Sequence, residues 1–214
     1  MFSRLAKLLL ITLVPLAAVA QDAPPPAPAG GYSTYNRHFG FFIRPELGFG
    51  YFGASASQGG MDVKVSGGGG VFALGIGGAV SENFIVAGQV WDYIASSPTV
   101  KVTYGGSTLS GTSDGSAGLV GYGVLLNWYL QPSNLYLAVT PSFTKLVSSD
   151  GTTNSTSEWG FGARLAAGKE WWVSDHWGIG LAASLALSSN KDTGSGAPTW
   201  GSAAFGLTCS ATYN

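Results

Sequence analysis

Trp177 to Ser188 reads WGIGLAASLALS, and the two alternating sets within it decide the fold. Trp177, Ile179, Leu181, Ala183, Leu185 and Leu187 form one set, and Gly178, Gly180, Ala182, Ser184, Ala186 and Ser188 the other. A strict period of two is a β-strand with one apolar face. The opposite face is too small to fill the core of a soluble sandwich. It suits the inside of a narrow barrel whose bulky face meets lipid.

The same pattern recurs outward from this stretch. From His38, the set Phe39, Phe41, Ile43, Pro45, Leu47, Phe49 and Tyr51 opposes Gly40, Phe42, Arg44, Glu46, Gly48 and Gly50. A charge facing lipid at mid-depth costs about 2 to 4 kcal/mol, so Arg44 and Glu46 belong in the lumen, where they can pair. Pro45 within a strand predicts a bulge or an unpaired amide. Phe72, Leu74, Ile76 and Val80 mark a second outward face. The strand at 84–95 admits two phases: Val86 and Val90 outward with Asp92 at the outer rim, or Ala87 and Trp91 outward with Gln89 in mid-membrane. The first is preferred.

Four further strands follow. Val120, Tyr122, Val124, Leu126, Trp128 and Leu130 face out over Gly121, Gly123, Asn127 and Tyr129. Leu135, Leu137, Val139 and Phe143 face out, with Tyr136, Thr140, Ser142 and Thr144 inward. Phe161, Ala163, Leu165 and Ala167 face out, with Arg164 and Glu170 inward. With 177–188, and with Ala203, Phe205, Leu207, Cys209, Ala211 and Tyr213 outward, the count reaches eight. Long polar connections (54–70, 96–116, 148–157, 189–199) alternate with short ones (81–83, 131–134, 173–176). The expected fold is all-β: an eight-stranded antiparallel up-and-down transmembrane β-barrel with short periplasmic turns and long extracellular loops. Trp128, Trp171, Trp177 and Tyr213 all carry outward parity at the short-turn end, where an interfacial aromatic girdle belongs.

Composition agrees with this reading. Charged residues make up 10% of the chain, against about 25% in ordinary soluble domains. No stretch after residue 20 reaches the roughly 18 to 20 apolar residues of a spanning helix, so a membrane role demands a closed barrel. Residues 1–20 read as a signal peptide, with Arg4 and Lys7 before the apolar run Leu8–Leu16 and Ala18 and Ala20 at the cleavage site. Removing Arg4 and Lys7 leaves eight Lys/Arg against eleven Asp/Glu, a net of about −3 that argues against nucleic-acid partners. Residues 21–37 form a Pro/Gly-rich periplasmic spacer, and 38–214 the barrel. The single cysteine, Cys209, excludes an internal disulfide and stands far from any lipid-anchor position.

The region His38–Asn214 resembles the eight-stranded outer-membrane barrels of the OmpX and OmpA-transmembrane-domain type, and GKEWWVSDHWGIGLAASLAL resembles the hairpin such proteins carry between their sixth and seventh strands. The resemblance implies location in the outer membrane, contact with outer-membrane lipid and delivery by the barrel assembly machinery. It specifies no activity. Members often end in an aromatic residue, whereas here Tyr213 is penultimate and Asn214 last. No peptidoglycan-binding domain follows the barrel, so a wall-anchoring role is not implied.

Motifs that suggest chemistry have plainer readings. Gly48–Gly53 matches G-x-G-x-x-G but lies in an alternating strand instead of a strand-to-helix turn. Gly67–Gly70 lacks the Lys-Ser/Thr of a phosphate loop. Ser174, Asp175 and His176 are sequence neighbours whose side chains diverge, as turn residues do. Asp62, Asp114, Asp150 and Asp192 are scattered one per external loop, and Asn154-Ser155-Thr156 is a sequon by letters only. Neither a cofactor nor a metal nor a catalytic set is expected. The inward charges Arg44, Glu46, Arg164 and Glu170 predict a lumen network that either plugs the barrel or lines a narrow polar path. The leading expectation is a non-enzymatic scaffold displaying surface loops for envelope integrity or surface contact. A small transport pore ranks second and a lipid-modifying enzyme lower.

Overall fold

The computed structural model describes residues 38–214. The expected signal peptide (1–20) and the expected spacer (21–37) lie outside the described residues. Eleven strands follow one another: β1 (Phe41–Gln58), β2 (Met61–Ser81), β3 (Phe84–Ser96), β4 (Thr99–Tyr104), β5 (Ser107–Thr112), β6 (Ser116–Leu130), β7 (Leu135–Ser149), β8 (Asn154–Thr156), β9 (Gly160–Trp172), β10 (Trp177–Lys191) and β11 (Thr199–Tyr213). Eight of them, β1, β2, β3, β6, β7, β9, β10 and β11, pair antiparallel in that order, and β11 returns to β1. Closure leaves this barrel without an edge, the condition for a sheet in lipid.

The period of two sorts the side chains as the alternation requires. Leu47, Phe49, Leu137, Phe161 and Leu181 stand exposed on the exterior, while Phe42, Arg44, Glu46, Tyr129 and Tyr136 are buried inside. In β3 the inward residues are Ile85, Ala87, Gln89, Trp91, Tyr93 and Ala95, so Val86, Val90 and Asp92 face outward. Small inward residues make room for large ones. The Trp91 indole lies where a β-carbon at Gly121 would be, and Tyr136 crowds Gly168 in the same way.

Pro45 interrupts a ladder without shifting it. Pairing of β1 with β11 holds at Ile43↔Tyr213 and at Glu46↔Ser210 in one unchanged register, and the steps at Arg44 and Pro45 between them are absent. The result is a gap where an imide cannot donate, and not a bulge.

The largest departure from expectation lies in the long connections. Residues 54–70 are not a loop: β1 and β2 pair continuously from Phe41↔Gly78 to Gln58↔Met61 around a Gly59-Gly60 turn with both φ angles positive, the geometry of a type I′ hairpin. Residues 96–116 contain the hairpin β4–β5, closed by Gly105-Gly106, and β4 pairs with the upper part of β2. Residues 148–157 hold β8, which pairs with β7. Only 192–198 remains as an irregular segment of the last connection.

The physical reason is an inversion of polarity along β1 and β2. Up to Tyr51 the outward positions are bulky and apolar; from Ser55 they become Ser55, Ser57, Asp62, Lys64 and Ser66. The opposite face changes to Ala54, Ala56, Val63 and Val65. Above the lipid band water replaces lipid outside, so the sheet turns its apolar side inward.

Candidate functional site

The lumen is occupied at three levels. At mid-height Arg44 (β1), Glu46 (β1), Arg164 (β9) and Glu170 (β9) come together as an alternating chain of charges. Arg164 Nη2 meets Glu46 Oε2 at 2.6 Å, Glu46 Oε1 lies 3.2 Å from Arg44 Nε, and Arg44 Nη1 lies 3.5 Å from Glu170 Oε1. Two cations and two anions cancel, and all four side chains are essentially inaccessible. Neutral partners complete the set: Thr208 and Thr212 donate to Glu46 and Glu170, Tyr129 donates to Glu170 Oε2 at 3.0 Å, and Arg44 donates to Asn127 at 3.2 Å. The Arg44 guanidinium also lies 4.4 Å from the Tyr136 ring centre, a contact that suits a desolvated planar cation.

At the periplasmic end His38 closes the barrel. Its ring stacks on Tyr129 at 3.3 Å between centroids, and Nε2 is 2.7 Å from Asn134 Oδ1 in the short turn between β6 and β7. Toward the outer end Trp91 donates to Ser142 at 3.0 Å, while the Tyr93 hydroxyl lies 2.7 Å from that of Ser184 and accepts from Arg164 Nε. Phe52, Val71 and Leu119 pack around these two rings. Above that cluster opens a cavity of about 350 Å³, lined by Phe52, Ala54, Ala117, Leu146 and Trp200, with Asp192 accepting from Trp200 Nε1 at 3.1 Å.

Other expected features fall as follows. Trp128, Trp171, Trp177 and Tyr213 sit on the exterior beside the short turns, with Trp177 against Tyr213 at 5.3 Å. Ser174, Asp175 and His176 form the turn between β9 and β10: the Ser174 hydroxyl accepts from the Trp177 amide, and His176 Nδ1 bonds the Asn214 carbonyl. Gly48–Gly53 and Gly67–Gly70 are strand interior. Asp62, Asp114, Asp150 and Asp192 stay apart, and among the described residues no three His, Cys, Asp or Glu cluster as a metal site would require. The preferred phase of 84–95, with Val86, Val90 and Asp92 outward, is the one observed, and it turns Trp91 and Tyr93 inward. Their role in filling the outer lumen, and that of His38 at the other end, is not given by the alternation.

An edgeless antiparallel barrel of eight strands, with a filled polar interior, an apolar exterior and an aromatic ring at its short-turn end, defines an outer-membrane β-barrel. Its architecture is that of the OmpX and OmpA-transmembrane-domain type. No family model matches the chain, and no curated protein matches it. Among solved structures it is similar to neisserial surface protein A (NspA), with a TM-score of 0.55 and 14% identity over 81% of this chain and 96% of that one. It also matches OprG from Pseudomonas aeruginosa (TM-score 0.47, 13% identity, 82% and 96% covered) and AlkL (TM-score 0.46, 13% identity, 90% and 96% covered).

Proposed function

We propose that this outer-membrane barrel is a non-enzymatic scaffold. Its filled lumen makes a rigid post, and its work is done by the hairpins that rise from it, in surface contact or in maintaining the envelope. The observation that carries the reading is the occupation of the lumen at three heights by fully buried side chains, with Trp91, Arg44, Arg164, Tyr93, Tyr129 and Tyr136 the largest of them. Eight strands enclose just enough space for such a filling. Supporting it, β1 and β2, at 18 and 21 residues, are about twice the 9 to 11 residues that cross the hydrocarbon core. The surplus forms an external sheet with β4 and β5.

Planar-bilayer recording tests the reading against the pore alternative. Neither the wild-type protein nor Arg44→Ala, which deletes the central cation, should carry ionic current. Steady single-channel steps from the wild type would replace the scaffold with a pore.

A further inference from the structure

The exterior bears an open trough at the height where polarity inverts. Three rows of outward residues, each joined by direct strand partners, define it. The lowest row is Leu185–Phe205–Tyr51, bulky and apolar; the next is Leu187–Ala203–Gly53–Ser66; the highest is Ser189–Gly201–Ser55–Lys64–Lys101. Small residues at Ala203, Gly53 and Gly201 make the floor of an open surface trough between Leu185, Leu187, Phe205 and Tyr51 below and Lys64 above, with a volume of about 770 Å³.

The lysines are the second observation. Lys64 and Lys101 are direct cross-strand partners on one face, an arrangement that repels unless an anion lies between or beside them. Among the described residues neither has an ion pair or hydrogen bond. Lys191, outward on β10, stands one row higher. The acidic group on the same face, Asp62, is held by the Ser57 hydroxyl. Two cations over an apolar trough, at the first polar row above the lipid band, complement a molecule with a phosphate at its head and hydrocarbon beneath.

We propose that the groove between β10, β11, β1 and β2 binds a phosphorylated lipid of the outer leaflet, with its acyl chain along Leu185, Leu187 and Phe205 and its phosphate between Lys64 and Lys101. The proposal rests on the barrel's orientation and is independent of the scaffold reading.

The test uses the full-length protein in detergent, with diphosphoryl lipid A as the probe and native mass spectrometry as the readout. Lys64→Gln/Lys101→Gln should lower the retained lipid about tenfold, the effect of losing charge-assisted contacts worth one order of magnitude. Gly201→Leu should do the same while keeping both lysines, because a β-carbon there meets open space and the larger side chain fills the trough. Lys145→Gln, on β7, should leave retention unchanged. Heat-modifiable gel mobility verifies that each variant is folded. Equal retention of the dephosphorylated lipid, equal retention by the double lysine variant, or displacement by millimolar inorganic phosphate alone would each overturn the proposal.

Discussion

Arg164 on β9 and Glu46 on β1 meet at the centre of the lumen, Nη2 donating to Oε2 at 2.6 Å across 118 residues of chain. Glu46 also faces Arg44, so this one carboxylate answers two guanidinium groups. Replacing both members of a buried pair by apolar groups can be nearly neutral, whereas removing one strands the other in a medium that cannot solvate it.

Glu46→Gln should therefore destabilise the barrel by about 3 kcal/mol or more. Glu46→Leu combined with Arg164→Met should cost less than the two single changes added together. Equilibrium unfolding by urea from lipid vesicles measures the wild type and the four variants. Additive losses would show that Arg164 and Glu46 do not act as a unit.

Trp91 and Gly121 form a size-matched pair, the indole occupying the space of the missing side chain. Gly121→Val should overpack the lumen at a cost of about 1 to 3 kcal/mol, and Trp91→Ala should leave a cavity costing about 3 to 5 kcal/mol. In the double variant valine fills part of that cavity, so its loss should fall below the sum. The same unfolding measurement reads this coupling.

Exposed lysines report the topology. Lys64 and Lys101 lie inside paired strands, while Lys191 borders the irregular segment at 192–198. Trypsin added to intact cells should cut after Lys191 before it cuts at Lys64 or Lys101, and peptide mass mapping over time follows the order. Cleavage only after lysis would place these residues on the wrong side of the membrane.

The turn at Asp150 has a defined pH response. The carboxylate accepts from the Thr153 amide at 2.6 Å, from the Thr152 hydroxyl at 2.8 Å and from the Thr152 amide at 2.9 Å, which pulls its pKa from the ordinary 3.8 to about 2. The folded value is depressed, so the turn's contribution is fully present above the ordinary value and disappears as pH falls through about 2. The amide resonances of Thr152 and Thr153 should titrate with a midpoint near 2 and stop titrating in Asp150→Asn. A midpoint near 3.8 would mean the three bonds do not form.

Much of the barrel is legible in the chain because lipid makes the same demand at every outward position. Leu181, Phe49 and Leu137 need no knowledge of their neighbours to be placed, and Arg44, Glu46, Arg164 and Glu170 are inward by the cost of the alternative. That demand ends at the membrane boundary. Above Ser55 the outward face of β1 and β2 carries Ser, Asp and Lys over small Ala and Val inside, so the extended hairpin resembles loop, and the Gly59-Gly60 and Gly105-Gly106 turns are its local mark.

Amino-acid order alone thus determined the eight strands of the barrel wall, the outward face of each and the inward direction of the buried charges, since each follows from whether a side chain meets lipid or not. Tertiary structure alone decided that Arg164 answers Glu46, that the Trp91 indole lies against Gly121, that His38 closes the periplasmic end, and that Lys64 faces Lys101 above an open trough. These depend on strand register around a closed sheet, where partners are fixed by closure and lie tens to more than a hundred residues apart.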